Sequence, residues 1–195
     1  METEEGKIIL GIDPGTIILG YGLIRQTGKQ FSFLDMGVLN LSKIKDPTGK
    51  LKAIFDGIIK IIDQYHPDEF AIEAPFYGKN VQSLIKLGRA QGVAIAAALS
   101  REIPAREYAP LRVKQSITGH GNASKEQVCA MLFHLMKIDA IPKFLDASDA
   151  LAIAVCHALQ GNKIEIADQK ASKSPSRTKG NSWESFIANH KDRIR

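Results

Sequence analysis

The sequence predicts an α/β fold, a mixed five-stranded sheet flanked by helices in a single domain, and three observations predict it. Short apolar runs bounded by turn residues alternate with longer stretches of helical period. Three such runs come first, parted only by brief polar breaks, as in an antiparallel meander. Two further runs are each preceded by a segment long enough for a helix, and the last part of the domain is helical by pattern.

Lys7 to Ile12 is apolar and ends at Asp-Pro-Gly, the mark of a buried strand entering a turn. Gly20 to Arg25 and Gln30 to Asn40 supply the next two strands, separated by Gln26, Thr27, Gly28 and Lys29. Pro47 opens a helix in which Leu51, Ile54, Phe55, Ile58, Ile59 and Ile62 recur at helical spacing, and His66-Pro67 stops it after Tyr65. Glu69 to Glu73 is a short strand that, like the first, ends in an acid just before a proline. Asn80 to Arg101 is helical, with Gly88, Gly92 and Ala94 to Ala98 giving a smooth face suited to sheet packing or a dimer seam. Ile103 to Tyr108 is the fifth strand, with Pro104 marking an edge or a strand start. Ser124 starts a helix at capping-box spacing from Gln127, and a last helix spans about Asp146 to Gln160, with Gly161 as its stop. Past it the apolar period is lost, so residues 1–162 are expected as the domain and residues 163–195 as a disordered basic tail.

The formal charge of +5 is unevenly spread. Residues 163–195 hold eight Lys or Arg against four acids, leaving 18 bases and 17 acids on the body. A basic tail suits a polyanion, though such tails are often only solubilising. No apolar run approaches membrane-span length and the N-terminal residues are acidic and polar, so a soluble cytoplasmic protein with no membrane attachment is expected. Cys129 and Cys156 lie in apolar helix and are expected as buried reduced thiols.

Four acids stand at element ends. Asp13 and Glu73 end two strands, and ligands of open α/β sheets gather beyond such ends. Asp before Pro-Gly is also ordinary turn chemistry, but a carboxylate on the apolar face of Glu73's strand needs a cation or a hydrogen-bond donor. Asp146 and Asp149, three apart, share one face at the start of the last helix, where capping is the competing reading. None of the four has a lysine or arginine immediately beside it in the chain, and an oxygen-only set suits Mg²⁺ or Mn²⁺. Phe76 and Lys79 follow Glu73 in a loop that mixes aromatic rings with positive charge, as base-stacking platforms do; burial of Phe76 is the alternative. Lys114 and Lys125 flank a Gly-rich loop and suit phosphates, whereas His120 within it is expected to be exposed.

GIDPGT at Gly11 to Thr16, AIEAPF at Ala71 to Phe76, KLGRAQGVA at Lys86 to Ala94, VKQSITGHG at Val113 to Gly121 and DASDALAIA at Asp146 to Ala154 closely resemble, in order and spacing, the RuvC family of Holliday-junction resolvases. The resemblance covers about Lys7 to Leu159 and implies an RNase H-like fold, a homodimer and a two-metal nuclease site loaded with Mg²⁺, for which Mn²⁺ can substitute. It implies that Asp13, Glu73, Asp146 and Asp149 hold the metal ions, that Phe76 stacks on a base of the opened junction, and that Lys114 and Lys125 lie near the DNA backbone. Four-way junction DNA as substrate and a branch-migration helicase complex of RuvA and RuvB type as partner are implied in the same way. Ala74-Pro75 departs from relatives with bulkier or polar residues there, and the long tail is outside the resemblance.

Three other functions fit parts of the pattern. Asp13 to Thr16 also suits the phosphate loop of actin-like ATPases, which are commonly built of two such domains, and no second copy occurs here. A non-catalytic scaffold for branched DNA would not need four acids. RNase H-like sites also cut RNA–DNA hybrids and transposon ends.

Overall fold

The computed structural model describes residues 6–75, 80–138 and 145–171. The chain divides into two units, residues 1–162 and 163–195. The first holds one five-stranded sheet in the order β3-β2-β1-β4-β5. Its strands are β1 (Lys7–Asp13), β2 (Ile18–Thr27), β3 (Gln30–Asn40), β4 (Glu69–Glu73) and β5 (Ala105–Tyr108). The first three pair antiparallel, while β4 runs parallel to β1 and β5 parallel to β4. The expected mixed sheet is therefore the observed one, with β1 at its centre.

The meander closes tightly. Thr27 pairs with Gln30, so Gly28 and Lys29 alone form the turn, and Gly28 takes φ 59°, the positive value that a two-residue hairpin with glycine first requires. Gln26 and Thr27, read from sequence as part of the break, belong to β2. Between the Leu23–Asp35 and Ile24–Phe33 pairs, β3 carries the extra residue Leu34, a bulge that bends this edge.

Helix α1 (Pro47–Tyr65) begins where Asp46 accepts from the Gly49 amide and ends at His66, which takes a left-handed conformation. Helix α2 (Val81–Leu99) is capped by Asn80. Together they cover one sheet face, burying Ile54, Ile58, Ala90, Ala94, Ala97 and Ala98 against Leu10, Ile12, Leu23, Phe70 and Ile72. Helix α3 (Pro110–Thr118), absent from the sequence reading, is a short amphipathic turn of chain started by Pro110 and ended by a left-handed Gly119. Helix α4 (Lys125–Met136) has the expected capping box between Ser124 and Gln127.

Helix α5 (Leu145–Ala171) packs on the other face and does not stop at Gly161. An internal glycine costs a helix only about 1 kcal/mol relative to alanine, and the Lys, Glu, Ile, Ala and Gln that follow favour helix well enough to carry it on. Residues 163–171 are accordingly helical, which corrects the expectation of disorder for that stretch. The rest of the expected tail lies outside the described residues. Among the described residues no helix is long and apolar enough to cross a membrane, and Cys129 and Cys156 are buried free thiols, as expected.

Three glycines let α5 lie on the strands. A Cβ on Gly11 would stand 2.2 Å from the Ala150 carbonyl oxygen, one on Gly20 2.0 Å from that of Asp146, and one on Gly22 2.5 Å from the Leu151 backbone. The helix thus rests backbone to backbone on β1 and β2. Its buried stretch from Ala150 to Ala158 has no exposed side chain.

One polar chain crosses this apolar face. The Tyr108 hydroxyl lies 2.8 Å from His157 Nδ1, His157 Nε2 meets a Glu69 oxygen, and the other Glu69 oxygen accepts from Lys7 Nζ at 2.8 Å. The His157 bond, seconded by Lys7, holds the Glu69 carboxyl down at about 2. That lowered value contributes stability above about pH 4.5, lost as pH falls toward 2. Glu69→Gln should lower stability at pH 7 by about 1–3 kcal/mol, since the charge is lost and the single amide oxygen cannot replace both carboxylate oxygens, one bonded to the buried His157 and the other to Lys7. Denaturant melts at pH 7 and pH 3 test this: a deficit that does not shrink at the lower pH would count against it.

Candidate active site

β1 and β4 are parallel neighbours, with Gly11 opposite Ala71 and Ile12 opposite Ile72, so their terminal residues Asp13 and Glu73 emerge side by side. Both share the face of Ile9 and Ala71, the face that α5 covers. The close seat of α5 on Gly11 and Gly20 brings its first turns, with Asp146 and Asp149, to the same sheet end. A pocket of about 230 Å³ opens there, lined by Asp13, Glu73 and Asp149 with Lys114, Lys125 and Pro110. Three chain regions far apart in sequence thus place carboxylates around one space.

Asp146 stands apart from the other three. It is not part of the pocket lining, and it reaches Asp13 only as the weakest of the charges that raise it. Burial first, then the charges of Glu73 and Asp149, push the Asp13 carboxyl from its ordinary 3.8 up to about 8. Burial, with Asp149, lifts Glu73 to about 7. Acids so perturbed in a cleft mark a site built for a cation or for proton transfer.

Lys125 is the departure from the sequence reading, in which the acids stood without a basic neighbour. Its ammonium pairs with Asp149 and also acts on Asp13 and Asp146. Distance along the chain concealed this, because the start of α4 docks beside the start of α5, 24 residues away. Lys114, on α3, lines the pocket and lowers Glu73. His120 is exposed. Phe76 and Lys79 lie outside the described residues.

The donor set fits a hard divalent cation. It is all carboxylate oxygen, and magnesium is commonly held by one or two carboxylates while keeping several waters. Among the described residues no three such groups are yet closed on a single metal position. Lys125 occupies one oxygen of Asp149. Gln91 went unnoticed in the sequence. Buried on α2, it donates to Glu107 at 2.7 Å and to the Glu73 carbonyl at 3.4 Å, steadying the strand end that presents the Glu73 carboxylate. Its one signal was a polar residue among the small apolar ones of α2.

Residues 9–157 match the family model described as crossover junction endodeoxyribonuclease RuvC. Among curated proteins, the chain is 54% identical over 189 residues to crossover junction endodeoxyribonuclease RuvC of Christiangramia forsetii, covering 97% of this chain and 93% of that one. It is 52% identical over 189 residues to the protein of the same name from Cytophaga hutchinsonii, covering 97% and 88%. Among solved structures, Thermus thermophilus RuvC superposes with a TM-score of 0.72 at 30% identity, over 80% of this chain and 96% of that one. T. thermophilus RuvC in complex with Holliday junction substrate gives 0.71 at 26% identity, over the same shares.

Proposed function

Because the chain belongs to the RuvC family of crossover junction endodeoxyribonucleases, we propose that it resolves four-way DNA junctions by paired symmetric nicks that leave 5′-phosphate and 3′-hydroxyl ends. The observation that carries this reading is the convergence of Asp13, Glu73 and Asp149 on one pocket shared with Lys114 and Lys125. Asp13 and Glu73 line the pocket from the strand side and Asp149 from the helix side, and these three, with Asp146 one turn before Asp149, would hold two magnesium ions. When bound, these ions, or manganese in their place, supply a Lewis acid for the scissile phosphate and water of lowered pKa. Asp13, on the central strand, would be the ligand shared by the two. Lys114 holds a backbone phosphate. Lys125 does the same once it exchanges the Asp149 carboxylate for DNA.

Phe76 stacks on a base at the opened branch point, and Lys79 beside it meets the backbone. Paired nicks need two such sites, hence a homodimer with one site per strand. Support for the seam comes from α2, where Val81, Ile85 and Leu99 are more than half exposed and lie on one stripe with Gly88, Gly92 and Ala96. Residues 1–162 form the nuclease domain and residues 163–195 a basic appendage. The setting is recombination and DNA repair in the cytoplasm, beside a branch-migration helicase complex of RuvA and RuvB type.

Cleavage of a labelled synthetic four-way junction, with matched linear duplex and RNA–DNA hybrid as controls, tests the reading. Symmetric nicks are expected in the junction alone, only with Mg²⁺ or Mn²⁺. Cutting of the hybrid instead would transfer the same site to another substrate. Tight junction binding without cutting in either metal would leave a scaffold.

A further inference from the structure

A second concavity of about 390 Å³ opens between the start of α1 and the side of α2, at the end of β1 but on the sheet face away from the acids. Lys45, Lys50, Lys86 and Arg89 line it, and no acid does. The body of the protein carries 18 bases and 17 acids, so four cations around one cleft are a local concentration and not the background of a basic protein. The neighbouring acid, Asp46, caps α1 and does not line the cleft; counted with the four cations, it still leaves three positive charges in excess. Its carboxylate is committed to the Thr48 hydroxyl at 2.5 Å and the Gly49 amide at 2.6 Å. Lys50 is fixed in place by a 2.7 Å bond to the Thr16 carbonyl oxygen. Among the described residues, Lys45, Lys86 and Arg89 make no ion pair with a carboxylate. Like charges gathered in a cleft with low-dielectric walls focus a positive potential, which favours an anion with several negative groups over a single one.

The position says which anion. Thr16, on the cleft wall, follows Asp13 by three residues, a span of at most about 11 Å of extended chain. Phosphates along one DNA strand advance about 3.4 Å each along the helix axis, so the near wall of the cleft, at Thr16, lies within roughly three nucleotides of Asp13. The two pockets nevertheless lie on opposite faces, since Val113, Val128 and Ala152 beside the acids belong to the core under α5, whereas Ile54 beside the lysines belongs to the core under α1 and α2. A branched substrate has strands that leave one point in different directions. We propose that this cleft is a second phosphate-binding site, which takes the sugar–phosphate backbone of a junction strand that leaves the branch point on the side away from the strand being cut. The inference rests on the junction-resolvase reading, for which the acid pocket alone argues.

The test measures junction binding by fluorescence anisotropy across a range of potassium chloride concentrations. It uses the Asp13→Asn protein as an uncut reference and adds Lys45→Gln, Lys86→Gln and Arg89→Gln to it. Each phosphate contact contributes about 0.7–0.9 to the slope of log affinity against log salt, so the triple change should flatten the slope by about 2–3 and weaken binding at least tenfold at moderate salt. Lys86→Gln alone, at an exposed position, should flatten it by about 1, which keeps the test open if the triple variant folds poorly. Unchanged slopes would overturn the site. Unchanged slopes together with a melting temperature that inorganic phosphate raises in the reference but not in the triple variant would mark a pocket for free anion rather than for DNA backbone. Failure of the reference itself to bind a junction would take down the functional reading and this inference with it.

Discussion

Asp13→Asn should reduce junction nicking by about 10²–10³-fold or more, the scale on which loss of one charge-stabilising group costs a reaction, while junction binding persists. The same substitution should stabilise the metal-free fold. Burial and the neighbouring carboxylates raise the Asp13 carboxyl to about 8 in the folded chain, against 3.8 for the free group. An acid raised in this way favours the fold fully below about pH 4, and that contribution is lost as pH rises through about 8. The amide of Asn does not titrate. In chelator, the melting temperature of the variant should therefore overtake that of the wild type as pH climbs from 4 to 8. A variant that cuts at the wild-type rate would remove Asp13 from the metal set. One that is inactive yet shows no pH-dependent gain would mean that the carboxylate is not under strain.

Gly11→Ala is the second large effect. The added methyl would sit 2.2 Å from the Ala150 carbonyl oxygen and 2.7 Å from the Ala154 amide nitrogen, both backbone atoms of a buried helix that has no side chain to swing aside. Overpacking a core ordinarily costs about 1–3 kcal/mol, and a clash with backbone on both sides belongs at or beyond the upper end. For a chain of this size that is a fall of roughly 6–12 °C in melting temperature. Gly28→Ala, where a Cβ meets nothing within 4 Å and only the positive φ is strained, should cost about 1–2 kcal/mol. Calorimetry on both variants tests the comparison. If Gly11→Ala melts within a degree or two of the wild type, α5 does not lie against β1 as described.

These two residues show which parts of the molecule were legible in its sequence. Asp13 was legible because its signal is local: an apolar run, an acid and a turn. The same holds for the end of α1 at His66 and for the box at Ser124, where the residues that stop or start a helix are its own neighbours. Gly11 was not legible as a contact, because its meaning lies in a helix that begins more than 130 residues later. The Lys125–Asp149 pair and the brace from Gln91 escaped for the same reason, each being made by elements that meet only in the fold. Helix α3 escaped differently. It has only Val113 and Ile117 to bury, too short a pattern to separate from a loop, although Pro110 and Gly119 mark its ends. Gly161 misled because a stop signal was read without weighing the helix formers beyond it.

Helix α5 is both the member that fills the centre of one sheet face and the carrier of Asp146 and Asp149. Its seat on β1 and β2 is made of backbone, with no layer of side chains to absorb a shift. The helix end cannot drift away from Asp13 while the rest of the domain stays closed. Partial looseness at the carboxylates, of the kind that lets an enzyme trade precision for breadth of substrate, is denied to this molecule by the same contacts that keep it folded. Adaptation to new branched DNAs is left to the parts that surround the acids: the segment after Glu73, α3, and the lysines on either side of the sheet.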